Sequence, residues 1–224
     1  SLIPQNQLAR NDLPMPVAPQ TWRFAQSIEY SQSINRAVLN YASRNKDRLL
    51  FNIWRMGQNA IDKGNTDTWR ITPTGVEALV EAAGENANGR RGVDPALYDK
   101  VLRDPARRDP RGYVIPADQA DMPTVTAFLN ALIKTGVDVD KADKAFTIAG
   151  KTYPAGSYIV RTAQAYRPHV LDMFEPQDHP HDTDFPGGPP KAPYDVTGYT
   201  LAYQMGIKFD RILDGFDAPT SRVP

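Results

Sequence analysis

The fold class of this chain is decided by the stretch GYVIPADQADMPTVTAFLNALIKTGVDV, residues Gly112–Val139. It begins with a short apolar strand at Tyr113–Ile115 and ends with a second one at Val137–Val139. Between them, Asp121 precedes a helix that Gly136 closes. The inward residues of that helix are Phe128, Leu129, Leu132 and Ile133. A crossover of this kind is almost always right-handed and joins parallel strands, so the stretch predicts a small α/β unit in which the two strands lie parallel.

The segments after residue 139 extend this unit. Apolar runs and turn residues predict a hairpin, a short helix, a second helix and a last strand: Ala145–Ile148 with Tyr158–Val160, Arg167–Phe174, Thr197–Gln204 and Ile207–Ile212. We therefore expect an α/β fold over residues 112–213, followed by a tail at 214–224.

The N-terminal part carries the strongest helical pattern of the chain. Apolar residues recur at helical spacing from Trp22 to Ile61, and charged and amide residues fill the other face. The pattern predicts one long helical segment or two helices in sequence, with a break at Ser43–Asp47 and a stop at Gly64. A helix of that length needs a surface to lie against. We expect either a fold-back onto Leu49–Ile61 or a partner from outside.

Shorter elements complete the predicted organisation. Residues 1–20 are proline-rich and aperiodic and predict an extended arm, so that residues 1–65 form an arm and a long helical segment. Residues 66–111 are predicted to hold connecting helices and a linker. Their elements are a strand at Thr68–Thr72, a helix at Pro73–Ala83, a helix from Pro95 to about Leu102 capped by Asp94, and the charged linker 103–111.

Composition excludes several classes of function. The chain has 224 residues, with 26 Lys+Arg against 26 Asp+Glu and no cysteine. This charge balance argues against nucleic acid as a partner, because phosphate binding needs a basic surplus. The lack of cysteine excludes disulfides, thiol catalysis and cysteine-based zinc sites. We expect no membrane span and see no signal peptide in the sequence.

One cluster has the composition of a metal site. It is DHPHDTD, residues 178–184, and its candidate ligands are His179, His181 and Asp182. The alternative is a solvated acidic loop, since ligands need rigid support and this loop is rich in proline. His169 and Asp172 also share a predicted helix face, or are ordinary helix residues. No H-x-x-E pair and no phosphate-loop or nucleophile-elbow motif occurs, so we assign no catalytic and no cofactor-binding residue.

Three segments together resemble a known family. They are QSIEYSQSINRAVLNYASRNKDRLLFNIWRMG (Gln26–Gly57), GYVIPADQAD (Gly112–Asp121), and YPAGSYIVRTAQAYRPHV (Tyr153–Val170) followed by PPKAPYDVTGYTLAYQMG (Pro189–Gly206). In order and spacing they resemble large bacterial proteins of the M14 zinc-carboxypeptidase superfamily, in which an extra α/β region follows the peptidase domain. The resemblance spans residues 3 to 213.

The resemblance implies that this chain is a part of a larger protein and carries none of its catalytic residues. It makes Gln26–Asn45 the terminal helix of a carboxypeptidase-like domain and residues 112–213 an accessory α/β domain behind it. The family's zinc ligands and catalytic Glu lie upstream of the matching segment, so none is carried over. Zinc would then sit in the missing catalytic domain of the whole protein, which would hydrolyse C-terminal peptide or amide bonds of a peptide-like substrate. Proteins of this kind are usually exported, which implies a periplasmic or secreted location.

Two hypotheses for the function therefore stand. In the first, the chain is a non-catalytic accessory part of a zinc metallocarboxypeptidase, and its long helix packs on the missing catalytic domain or on another copy of the chain. In the second, it is a self-sufficient ligand-binding module without enzymatic activity, which uses surface aromatic residues or the 178–184 loop.

Overall fold

The computed structural model describes residues 21–84, 93–180, 182–192 and 200–224 and has a mixed α/β fold. The chain divides into two compact units, of which the first ends at Trp54 and the second begins at Arg55. The predicted arm at residues 1–20 lies outside the described residues. Among those that are described, no helix is both long enough and apolar enough to cross a membrane.

The described part of the first unit is mainly helical. Helix α1 spans Phe24–Arg44, and helix α2 spans Lys46–Gly64 and continues into the second unit. Asn45 separates them, within the break predicted at 43–47. The backbone hydrogen bonds continue through it, because its N–H donates to Tyr41 O (3.0 Å) and its O accepts from Leu49 N (2.9 Å). The two helices therefore follow each other in sequence, and the fold-back alternative is not adopted.

The apolar stripe of α1 lies in solvent. None of the 21 residues of α1 is buried. Phe24 is 80% exposed, Ile34 61% and Val38 59%. Helices in water draw most of their stability from packing an apolar face, so α1 has helical periodicity without the contacts that usually accompany it.

Helix α2 enters the second unit through small residues. Ala60 and Gly64 are buried. The backbone of Gly64 approaches residues 162–163 so closely that a Cβ atom there would lie 2.3 Å from the Ala163 Cα. At Gly57 a Cβ atom would lie 3.5 Å from the Cβ of Ala165, an ordinary contact distance. Only glycine therefore fits at the last residue of α2.

Local capping signals set the next elements. Helix α3 spans Pro73–Ala83, as predicted, and its cap Thr72 accepts a hydrogen bond from Gly75 N at 3.2 Å. Asp94 caps helix α4 (Pro95–Leu97), which widens into a π-helical turn at Tyr98–Leu102 before a 3₁₀ turn at Pro105–Arg107. The strand predicted at residues 68–72 is wrong, because this segment joins no sheet.

A five-stranded antiparallel sheet forms the centre of the second unit. Its order is β6-β1-β5-β2-β7. The strands are β1 (Gly112–Ile115), β2 (Asp140–Ala142), β5 (Tyr158–Arg161), β6 (Asp210–Ile212) and β7 (Thr220–Arg222), and β3 (Phe146–Ile148) pairs with β4 (Lys151–Tyr153) in a separate hairpin. Every pair formed by these strands is antiparallel.

The two strands of the predicted α/β unit lie in one sheet and run in the same direction, as predicted, but they are not neighbours in it. Helix α5 (Met122–Lys134) does connect β1 to a later strand, and Asp121 caps it through Thr124 N at 3.0 Å. However, the later strand is β2, which begins after Val139, and β5 lies between β1 and β2. Each of those two strands is antiparallel to β5. Apolar patterning shows that a crossover exists, but it cannot show that a third strand is inserted.

Two further strand predictions are corrected. Residues 146–148 form their hairpin with β4 instead of Tyr158–Val160. The turn between β3 and β4 consists of Ala149 and Gly150, both with positive φ (48° and 79°), which is the backbone twist that two-residue hairpins favour. The predicted tail at 214–224 contains β7. Helix α6 (Arg167–Phe174) is confirmed, while α7 begins at Leu201 and ends at Gln204, and residues 197–199 lie outside the described part.

The sheet separates two apolar clusters. Tyr113 and Ile115 point to one face and pack with α5, α6 and α7. Val114, between them, points to the other face, which the β3–β4 hairpin covers. Tyr113 stacks on Phe174 with ring centres 4.2 Å apart. The second unit is thus three layers: helices, sheet and hairpin.

The close approach at Gly64 gives a testable expectation. Gly64→Ala should lower the free energy of unfolding by about 1–3 kcal/mol, because the added methyl overlaps backbone atoms that cannot move aside. Gly57→Ala is the matched control on the same helix and should be neutral or stabilising by up to about 1 kcal/mol, since alanine is the better helix former. Urea unfolding of both variants measures the difference. Equal stability of the two would contradict the packing described.

Candidate functional site

Two of the three candidate ligands of the metal loop lie in the described part of the chain. His179 and Asp182 are exposed, and His181 lies outside the described residues. Asp182 pairs with Lys191, with Nζ 3.3 Å from Oδ1. The neighbouring Asp178 accepts hydrogen bonds from the backbone N and Oγ1 of Thr74, at 3.2 and 2.6 Å, in the first turn of α3. Lys191 Nζ also lies 3.7 Å from Asp184 Oδ1. In the described part of the loop, three carboxylates thus have partners other than a metal.

The second candidate pair, His169 and Asp172, lies on α6. His169 Nε2 lies 2.9 Å from Thr135 Oγ1 at the end of α5. The backbone O of Asp172 accepts a hydrogen bond from Thr200 N at 2.6 Å. Within the described ranges, no group of three or more His, Asp or Glu side chains has the arrangement of a metal site.

A buried cluster of arginines and carboxylates is the main polar feature of the second unit. Glu175, at the end of α6, is 7% exposed. Its carboxylate accepts hydrogen bonds from Tyr113 Oη (2.8 Å) and Arg211 Nε (2.8 Å), and Arg70 reaches it at 3.4 Å. Glu175 therefore links the end of a helix to β1 and β6.

The cluster continues at Asp109. Its carboxylate accepts hydrogen bonds from Arg70 Nε (2.8 Å), Arg167 (2.9 Å) and Thr68 Oγ1 (3.2 Å). Asp109 and Arg167 are both buried. Removing a charge from water is costly unless it is paired and hydrogen-bonded. Here three arginines satisfy two carboxylates, and Arg70 bridges both.

Burial also sets the protonation of the tyrosine in this cluster. The pKa of Tyr113 lies well above its ordinary value, first because the phenol is removed from water and next because the Glu175 carboxylate is beside it. Tyr113 therefore remains a hydrogen-bond donor to Glu175 throughout the neutral range.

A second ion cluster lies at the surface. Asp67 accepts hydrogen bonds from Arg108 (2.8 Å) and Arg111 (2.9 Å), and Arg108 also pairs with Asp214 at 2.8 Å. The hydrogen bonds from these two arginines lower the pKa of Asp67. This carboxylate is therefore fully ionised and fully engaged at neutral pH.

A cleft of about 410 Å³ opens beside the buried cluster. Arg70, Arg107 and Arg211 line it together with the carboxylates of Asp109, Glu175 and Asp178. Three positive and three negative groups balance there. The described lining offers hydrogen-bond donors and acceptors, with no cysteine, histidine or lysine among the residues that form it.

Sequence reasoning did not identify this cluster. Arg70 and Glu175 lie 105 positions apart and Arg167 and Asp109 lie 58 apart. No spacing rule connects residues at such distances. The local signal that was available is the charged segment RDPARRDPR at 103–111, which has the composition of a linker and in fact supplies Asp109 and Arg108 to the two clusters.

Comparison with known proteins gives no assignment. No protein-family model, no curated protein and no solved structure matches this chain.

The raised pKa of Tyr113 predicts a pH dependence of stability. A tyrosine whose folded-state pKa is raised contributes stability that is present below its unfolded pKa, near 10, and that is lost as the pH rises above it. At pH 8, Tyr113→Phe should cost about 1.5–3 kcal/mol, since a hydrogen bond to a buried carboxylate is removed. That difference from the unmodified chain should shrink between pH 10 and 11.

Urea unfolding at pH 8, 9, 10 and 11 measures this effect. Tyr98→Phe, at an exposed tyrosine, serves as the control and should change the free energy by less than about 0.5 kcal/mol. A cost of Tyr113→Phe that stays constant up to pH 11 would show that the phenol ionises equally in both states.

Proposed function

We propose that this chain is a non-catalytic accessory part of a larger zinc-carboxypeptidase-like protein, and that the apolar face of α1 is the surface on which the catalytic domain packs. The observation that carries the proposal is the exposure of this face. Phe24, Ile34 and Val38 share one side of α1 and all remain more than half exposed.

Exposure on this scale is unfavourable for an isolated protein. Burial of one such side chain stabilises a fold by about 1.5–3 kcal/mol. Monomers seldom expose contiguous apolar patches of this kind unless the patch binds something. Tyr41, at 54% exposure, and Ile28, at 44%, extend the same stripe. The stripe therefore has the character of half of an interface.

The resemblance supplies the partner in this proposal. Gln26–Gly57 resembles the terminal helix of a carboxypeptidase-like domain together with the segment just behind it, and that helix includes the exposed stripe apart from Phe24. The compact unit beginning at Arg55 has its own core on both faces of its sheet, which suits a domain attached behind a peptidase. Zinc, the catalytic carboxylate and the peptide-like substrate would belong to the rest of the protein.

The reading frame that encodes the chain tests this origin directly. An upstream H-x-x-E pair and a later histidine in the same frame are expected. A start codon immediately before Ser1 would instead support a self-sufficient binding module.

The purified chain should not act as a carboxypeptidase. That reaction requires a zinc-bound water and a carboxylate base beside it, and the resemblance places both upstream. Incubation with zinc and peptides should release no C-terminal amino acid above a blank, as measured by mass spectrometry. Zinc-dependent release that a chelator abolishes would contradict the proposal.

Charge substitutions on α1 test the interface. In the longer protein, the pair Ile34→Glu and Val38→Glu should lower the free energy of unfolding of the peptidase part by several kcal/mol, because both side chains lose apolar burial. Ser33→Glu introduces the same kind of charge on the other side of the helix and is the control. Thermal unfolding of the three proteins decides the result. Equal stability of the three proteins would show that the stripe is not part of the interface.

A further inference from the structure

A second cleft in the compact unit has a different charge from the first. Its volume is about 460 Å³, and four cationic side chains line it: Lys63, Arg70, Arg103 and Arg167. Two carboxylates, Asp67 and Asp109, complete its charged lining. The whole chain is neutral, with 26 basic and 26 acidic residues. Positive charge is therefore concentrated in this concavity, and clefts of one sign focus the field on ligands of the other.

Neither carboxylate is available to neutralise a further cation. Asp67 is held by Arg108 and Arg111, and Asp109 by Arg70 and Arg167. Two of the cations are more loosely engaged. Arg103 pairs with Asp99 across a largely exposed helix turn, an interaction worth little in water. Lys63 forms no ion pair with any described residue.

The inner wall of the cleft contains an incompletely satisfied arginine. Arg167 is only 7% exposed. Its terminal nitrogen bonds to Asp109 and Thr68, both at 2.9 Å, whereas its Nε is buried and has no partner among the described residues. The buried Nε does not itself reach the cleft, but the charge of this guanidinium adds to the positive wall. In the cleft of about 410 Å³ described above, three cationic and three anionic side chains balance, so that cleft has no comparable excess of positive charge.

We propose that the cleft lined by Lys63, Arg70, Arg103 and Arg167 binds the oxyanion group of a small ligand, a carboxylate or a phosphate. Arg103 and Lys63, at the exposed rim, attract the anion and contact it. Arg70 and Arg167 supply the fixed positive charge of the wall, held in place by Asp109. This inference is independent of the proposed relation to carboxypeptidases, since it depends only on residues of this chain.

Titration of the full 224-residue chain tests the proposal. Inorganic phosphate and succinate are added separately, with sodium chloride at matched ionic strength as the reference, and binding is followed by calorimetry and by the NMR signal of the Trp69 indole N–H. Trp69 lines the cleft, so a ligand there should shift its signal, while those of Trp22 and Trp54 should stay in place.

Substitution at the rim locates the site. The pair Lys63→Ala and Arg103→Ala should weaken binding at least about tenfold, because two charge-assisted contacts are lost. Lys134→Ala removes one exposed positive charge at the end of α5, away from the cleft lining, and should leave the affinity unchanged. Circular dichroism confirms that the variants are folded, and Arg103→Glu provides a second variant if the pair is not.

The outcomes are distinct. Saturable binding of phosphate alone, or of succinate alone, supports the site and identifies its oxyanion. Binding of neither beyond the chloride reference overturns the proposal, as does equal weakening by Lys134→Ala. The carboxypeptidase hypothesis would be unaffected by either result.

Discussion

Two buried carboxylates constrain how the compact unit is assembled. Glu175 and Asp109 cannot be withdrawn from water unless cations and hydrogen-bond donors come with them. Their donors arrive from distant parts of the chain: Arg70 from the segment before α3, Tyr113 from β1 and Arg211 from β6. The end of α6, two strands of the sheet and the segment entering α3 must therefore be placed together. Because one charge left unpaired in the interior is strongly destabilising, arrangements that separate these groups are disfavoured.

The two units of the chain differ in how far they bury their apolar residues. In the unit that begins at Arg55, both sides of the sheet are covered, by helices on one face and by the β3–β4 hairpin on the other. In α1 no residue is buried, although the helix has the periodicity of one that packs. The apolar stripe of α1 is buried against nothing in the described chain. We explain it by a partner surface outside this chain, and this is the basis of the proposed accessory role.

Helix boundaries that depend on neighbouring residues could be predicted from the sequence, whereas the pairing of strands distant in the chain could not. The start of α3 after Thr72, the cap at Asp121, the break near Asn45 and the end of α2 at Gly64 all depend on neighbouring residues. The strands, by contrast, are three or four residues long, too short for alternation to show which of them pair. Insertion of β5 between β1 and β2 is decided by tertiary packing. The arginine–carboxylate clusters could not be predicted for the same reason, because their residues are far apart in the sequence and form no motif.

Amide hydrogen exchange tests the central claim, that α1 is half of an interface, most directly. Helix α1 should exchange rapidly in the isolated monomeric chain, because it lacks tertiary packing, while β1 and β5 exchange at the rate set by global unfolding. In the longer protein, the amides of α1 should become as protected as those of β1. Strong protection of α1 in the isolated monomer, with monomer state verified by sedimentation, would contradict the account, because the helix would then need no partner to be stable.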